Sequence, residues 1–127
     1  MKDQSQVKNP KTELKYRAFR LSIALIRFLT KLPRDQASKV ISDQLIRSST
    51  SIGANIVEAK SSSSKKEFMH YFQISLKSAN ESKYWLALLY ELYPSQKDTI
   101  LGFSHELEEI SRIIGSSILT MKGKRSL

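Results

Sequence analysis

Apolar side chains recur every three or four residues through most of the chain, which is the period of an amphipathic α-helix. Three interruptions break this pattern, namely Pro33, the basic serine run KSSSSKK at 60–66, and Pro94. The pattern therefore predicts four helices, at about 12–31, 36–59, 64–92 and 95–121. Long helices joined by short loops alternate in direction. We predict an all-α protein, an antiparallel up-down four-helix bundle over 12–122, with a flexible arm at 1–11 and a short basic tail at 123–127.

Residues that cap helices stand where three of these segments begin. Asp35 precedes the second helix, and Ser64 with Glu67 three positions later is a capping box at the start of the third. Ser95 and Asp98 predict a similar start for the fourth helix.

Each predicted helix has one apolar stripe that faces the core. The stripes are Leu14, Leu21, Leu25, Phe28, Leu32; Ile41, Leu45, Ile52, Ile56; Phe68, Phe72, Ser75, Ala79, Ser82, Leu86, Leu89; and Ile100, Phe103, Leu107, Ile110, Ile114, Ile118, Met121. Small residues in the third stripe face the level of Ser48 and Ser49 on the second helix. Small side chains on both helices let the two backbones approach closely.

The first helix carries a second apolar stripe, formed by Tyr16, Phe19, Ile23 and Ile26. One stripe is enough to join a bundle, and a second one needs another surface to cover it. We therefore predict self-association through these residues. Trp85 lies off the core stripe of the third helix. It either covers the bundle edge or packs against a neighbouring subunit, and the second apolar stripe of the first helix favours packing against a subunit.

Positive charge is concentrated near the start of the chain. The net charge is +9, and residues 1–39 alone hold ten basic and three acidic residues. This distribution indicates a surface for a polyanion, although it is also what a soluble protein with a basic tail would show. The candidate phosphate-binding residues are Arg17, Arg20, Arg27, Lys31, Lys60, Lys65 and Lys66. No aromatic residues alternate with them, so binding of RNA or DNA would be directed at the backbone and sensitive to salt.

A polar stripe on the second helix consists of Arg47, Ser51, Asn55 and Glu58. It is either a solvated face or a partly buried network. We favour the network, because Ser and Asn are poor helix formers. In that network Arg47 and Glu58 would neutralise each other's charge, and Asn55 would form a hydrogen bond with a neighbouring helix or subunit.

Catalytic and cofactor chemistry have little to build on. The chain has no Cys and only two His, which fall on different helices, and it has no glycine-rich phosphate loop. We predict no enzyme activity, no cofactor and no metal. The polar start and the lack of about 20 consecutive apolar residues predict a cytoplasmic protein that spans no membrane.

The run RSSTSIGANIVE at 47–58, followed by Lys66, Glu67 and Phe68, resembles the pattern R-x-x-x-S-I-x-x-N-I-A-E-G, a basic loop and K-E-F. This is the pattern of a bacterial four-helix-bundle family first named from 23S rRNA intervening sequences, which is related to the accessory variability determinant of diversity-generating retroelements. The resemblance covers about 12–121 and includes Glu81 on the third helix. Ala59 stands where the family usually has Gly.

The resemblance implies an up-down bundle that assembles as a ring, typically a pentamer, in a family suspected of binding nucleic acid. The matching residues are Arg47, Ser51, Asn55, Glu58, Glu67, Phe68 and Glu81, and we interpret them as determinants of fold and assembly. The leading hypothesis is a non-enzymatic homo-oligomer that binds RNA or DNA. The alternative is a scaffold or adaptor for an unidentified protein partner, without nucleic-acid binding.

Overall fold

The computed structural model describes residues 10–123, and their side chains from residue 14. Its four helices are α1 (Pro10–Leu29), α2 (Gln36–Lys60), α3 (Lys65–Leu92) and α4 (Lys97–Met121), with a 3₁₀ turn at Pro94–Gln96 before α4. The predicted all-α four-helix bundle is confirmed. Of the arm predicted at 1–11, residues 10 and 11 belong to α1 and residues 1–9 lie outside the described part of the chain. Of the tail predicted at 123–127, residues 124–127 lie outside it.

The cap predicted for α2 is present and also ties two helices together. Asp35 Oδ1 accepts a hydrogen bond from Ser38 N at 2.8 Å. Tyr93 follows α3, and its hydroxyl donates a hydrogen bond to the Asp35 carboxylate, whose two oxygens both lie 3.1 Å away. Burial raises the pKa of the Tyr93 hydroxyl, and the Asp35 carboxylate raises it further. The start of α2 is therefore anchored to the end of α3.

The other two predicted caps differ in outcome. Ser64 Oγ accepts from Glu67 N at 3.0 Å, and the Glu67 carboxylate accepts from Ser63 N at 2.9 Å, so the capping box reaches back to the residue before the cap. The predicted Ser95 cap is wrong. Pro94 starts a 3₁₀ turn that contains Ser95 and runs directly into α4, and no side chain caps that helix.

The predicted core stripes are buried except at four partly buried positions, which are Phe28, Phe68, Phe103 and Met121. Phe28 packs on Phe103 with ring centroids 5.3 Å apart, and Phe68 stacks on Phe72 at 4.8 Å. Ala18 and Leu29, which are not among the predicted core residues, complete the buried stripe of α1. Burial of these side chains is the main stabilising contribution, at about 1.5–3 kcal/mol for each large apolar residue.

Serine hydroxyls join α2 and α3 at the predicted level. The Ser48 and Ser82 hydroxyls share a buried hydrogen bond at 2.7 Å, and Ser75 Oγ donates to the Ile52 carbonyl at 2.9 Å. Ser82 Oγ also lies 2.9 Å from the Ser78 carbonyl. The small side chains let the two helices approach, and the hydroxyls of Ser48, Ser75 and Ser82 each find a partner across or along the helix.

A Ser82→Leu substitution should destabilise the bundle by about 1–3 kcal/mol, because the larger side chain forces α2 and α3 apart. Ser82→Ala keeps the size and removes only the hydroxyl, so it should cost less than about 1.5 kcal/mol. Urea unfolding followed by circular dichroism measures both. Equal losses for the two variants would show that helix separation is not the controlling factor.

Candidate functional site

α1 presents three different flanks to its surroundings, because successive residues advance by about 100° around a helix. One flank faces the core. The second is the apolar stripe, in which Tyr16, Phe19 and Ile23 are 49%, 62% and 36% exposed and Ile26 is partly buried. Within the described part of the chain this stripe is therefore mostly exposed.

The exposed stripe of α1 forms one wall of a groove, and α2 forms the other. We call this concavity of about 810 Å³ the α1/α2 groove. Its apolar lining consists of Tyr16, Phe19, Ile23, Ile26, Ala54 and Val57, and two lysines, Lys15 and Lys60, also line it. Both lysines and Val57 are exposed.

Small residues form the close contact beneath this groove. A Cβ atom on Gly53 would lie 3.5 Å from the Ala18 Cβ, so the two helices meet closely there. Ser22 Oγ donates to the Ser49 carbonyl at 3.3 Å on the same side of α1. Because the helices touch through small atoms, their larger apolar side chains extend outwards on both sides and leave the concavity between them.

Trp85, the fifth residue predicted at an interface, lies on α3 and is not part of the groove. It is partly buried against the core, its Nε1 donates to Glu81 Oε2 at 2.9 Å, and its ring meets the edge of Tyr84 at 5.1 Å. Tyr84 is 59% exposed. The predicted interface residues thus fall on two separate surfaces.

The third flank of α1 is basic, but its residues differ in availability. Arg17 forms a bidentate ion pair with Glu106 of α4, in which Nε lies 2.9 Å from Oε2 and Nη2 lies 2.7 Å from Oε1. The charge of Arg17 is therefore largely neutralised. Arg20 lies over the Tyr16 ring, 5.6 Å from its centroid. Arg27 and Lys31 are exposed near the end of α1.

The seven basic residues predicted to bind phosphate do not converge on one patch. Lys60, Lys65 and Lys66 flank the loop between α2 and α3, whereas Arg27 and Lys31 lie near the loop between α1 and α2. These loops are at opposite ends of α2, whose 25 residues span about 37 Å. Positive charge is therefore divided between the two ends of the bundle.

Acidic residues of α4 are used within the chain. Besides the pair with Arg17, Glu108 accepts from Lys83 at 2.6 Å and Glu109 pairs with Arg112. The hydrogen bond and charge of Lys83 lower the pKa of Glu108. In contrast, residues 14–34 hold six Lys and Arg and no Asp or Glu. The described side chains of α1 and of the turn after it thus include six basic residues and no acidic one.

The polar stripe of α2 differs from the predicted network. Asn55 Nδ2 donates to the carbonyl and hydroxyl oxygens of Ser51, within its own helix, at 2.8 and 3.0 Å. The link to α3 comes instead from Ser78, whose hydroxyl donates to Ser51 Oγ at 2.9 Å. Arg47 and Glu58 do not compensate each other, because eleven positions along one helix separate them by about 16 Å.

One pair of residues in the sequence has the spacing of metal ligands, although no metal site was predicted. Glu67 and His70 have the Glu-x-x-His spacing found in di-metal bundles, and that chemistry needs a second such motif facing the first. Here Glu67 closes the capping box, and His70 is exposed beside the Tyr71 ring. Between residues 10 and 123, no three His, Asp or Glu side chains are grouped closely enough to hold a metal ion.

Residues 11–116 match the sequence profile of the 23S rRNA-intervening sequence proteins. The chain belongs to this family. A crystal structure of a member from Bacteroides thetaiotaomicron, described as a protein with unknown function from the S23 ribosomal protein family, matches the fold with a TM-score of 0.79. The two sequences are 31% identical over 86% of this chain and 97% of the other. No curated protein matches the chain.

The family assignment confirms the resemblance drawn from the motif, and it points to no enzyme class. Five of the seven motif residues have side-chain contacts in the bundle: Ser51 with Ser78, Asn55 with Ser51, Glu67 in the capping box, Phe68 stacked on Phe72, and Glu81 with Trp85. None of the helices described between residues 10 and 123 is long and apolar enough to cross a membrane.

The ion pair that removes Arg17 from the basic set can be tested by a double-mutant cycle. Arg17→Gln, Glu106→Gln and the double variant should give a coupling energy of about 0.5–1 kcal/mol, because the pair is bidentate but partly exposed. The same cycle between Arg27 and Glu106 is the control and should give none. Urea unfolding at low salt measures both. Zero coupling for Arg17 would return it to the residues available for a ligand.

Proposed function

We propose that this chain is a non-catalytic homo-oligomer, pentameric in the favoured form, that assembles by covering the α1/α2 groove. The observation that carries the proposal is the exposure of Tyr16, Phe19 and Ile23 on one side of a helix whose other side is fully buried. Contiguous exposed apolar surface of this kind marks an interaction site on a folded protein.

The energies indicate how large the interface has to be. Covering four large apolar side chains contributes at most about 6–12 kcal/mol. Association costs about 4–15 kcal/mol in lost rigid-body freedom. The groove lining alone therefore only offsets the cost of association, and a stable assembly has to bury additional surface on the neighbouring copy.

The proposed activity of the assembly is binding of RNA or DNA through the phosphate backbone. The stretch at 14–34 supports it, because it contains no Asp or Glu and its cations Arg20, Arg27 and Lys31 are exposed. A ring repeats this basic flank in every copy, and the summed field attracts a polyanion more strongly than a single chain does.

The second candidate function is an assembly scaffold that binds a protein partner and no nucleic acid. Two observations favour it: Arg17 is neutralised by Glu106, and the remaining predicted cations are divided between the two ends of α2. A protein partner would use the exposed apolar surfaces rather than a continuous basic patch.

Phe19→Asp should convert the oligomer into 14.5 kDa monomers that keep their helical content, because a charge in the covered groove is costly to desolvate. Light scattering gives the mass, and far-ultraviolet circular dichroism reports the helix content. Leu101→Asp on α4 is the matched control, since Leu101 is 40% exposed and lies outside the groove. A wild-type protein that is already monomeric would refute the assembly.

Filter binding across a salt series separates the two candidate functions. The Arg20→Glu and Arg27→Glu double variant should bind RNA or DNA more weakly, with a salt slope lower by about 2, since each phosphate contact contributes about 0.9. Lys39→Glu on α2 with Lys77→Glu on α3 makes the same change of charge outside α1. Equal effects of the two double variants would mean non-specific charge attraction. If the wild-type protein retains no RNA or DNA on the filter at low salt, nucleic-acid binding is refuted and the scaffold function is left.

A further inference from the structure

A second exposed apolar surface lies on α3. Positions 81, 85, 88 and 92 follow the spacing of one helix face and carry Glu81, Trp85, Leu88 and Leu92, with Tyr84 beside them. Tyr84 and Leu92 are 59% and 50% exposed, and the Trp85 ring is held by its bond to Glu81 and by Tyr84. We call this surface the α3 ridge.

We propose that the α3 ridge of one copy fills the α1/α2 groove of the next, so that the chains associate head to tail. This inference rests on the proposed function, since it takes the groove as an assembly surface and names what covers it. The occupant of the groove is a second copy of this chain. It contributes its α3 ridge and covers the α1/α2 groove of its neighbour, so the two contact surfaces are different.

Shape supports this pairing. The groove is concave and extends along α1 from Tyr16 to Ile26, about 15 Å. The ridge extends along α3 from Glu81 to Leu92, about 16 Å. A helix that projects an indole and a phenol ring fits such a concavity, whereas two grooves facing each other would leave their volumes unfilled and lose packing contacts.

Charge supports the same pairing. Among the residues whose side chains are described, the groove is lined by Lys15 and Lys60 and by no acidic residue. The ridge carries Glu81, and Glu91 is exposed near its other end. Lys83, the basic residue in the same stretch, is turned towards Glu108 of α4. With Glu81 at the end of the groove where the two lysines lie, α3 therefore brings a carboxylate to them.

The position of the two surfaces determines what kind of assembly results. The groove lies on the α1 side of α2, and Ser78 on α3 contacts Ser51 on the other side of the same helix. The groove and the ridge thus occupy neighbouring sides of the bundle. A head-to-tail contact between neighbouring sides turns each copy relative to the last and can close into a ring, whereas patches on opposite sides would build a filament.

Cross-linking of engineered cysteines tests the contact, because the natural chain has no Cys that would interfere. Ala54→Cys places a thiol in the groove and Tyr84→Cys places one beside the ridge. The two variants are mixed in urea, refolded together and treated with a short bis-maleimide. We expect a covalent dimer on a denaturing gel from the mixture, and none from either variant alone. Ala54→Cys mixed with Leu101→Cys is the control and should not cross-link.

Light scattering on the same refolded samples separates the two proposals. Oligomers without an Ala54→Cys to Tyr84→Cys cross-link would overturn the head-to-tail contact while leaving assembly intact. A cross-link formed by Ala54→Cys alone would show grooves facing each other and would also overturn it. Monomers in every sample, including the wild type, would overturn both the contact and the proposed function.

Discussion

The close contact between α2 and α3 is the constraint on which the rest of the bundle depends. Serines rather than large apolar residues fill its middle, and the Ser48 and Ser82 hydroxyls meet at 2.7 Å. Because these helices approach through small side chains, their large residues, Leu45, Ile52 and Leu86, are left to fill the core. α1 then meets α2 through Ala18 and Gly53, and among the described residues Phe19 and Ile23 on its remaining apolar flank stay exposed.

Features encoded within one helix could be predicted from the sequence. The core stripes and the caps at Asp35 and Ser64 each depend only on residues a few positions apart, and they proved correct. Contacts between helices were less accessible, because a pattern shows which face is polar but not what lies opposite. The Ser51 to Ser78 bond and the Arg17 to Glu106 pair are of this kind.

Two errors had local physical causes that the sequence did contain. The Arg47 and Glu58 pair fails on helical rise alone, since eleven residues extend about 16 Å. The Ser95 cap fails because a proline immediately before it begins a 3₁₀ turn that leads straight into α4. In the candidate site, the sequence identified the apolar stripe of α1, but the contribution of Ala54 and Val57 to the groove required the pairing of α1 with α2.

The apolar and basic flanks share one helix, and this links assembly to charge. Arg20 lies over the ring of Tyr16, a residue of the groove, so a copy that covers the groove would also come close to that cation. Each added copy would bring its own basic flank, and the repulsion among them opposes assembly most strongly at low salt. A polyanion that neutralises several copies at once would bind the assembled form more tightly than the separate chains. By mass action it would therefore stabilise the ring, so that assembly and nucleic-acid binding would reinforce each other.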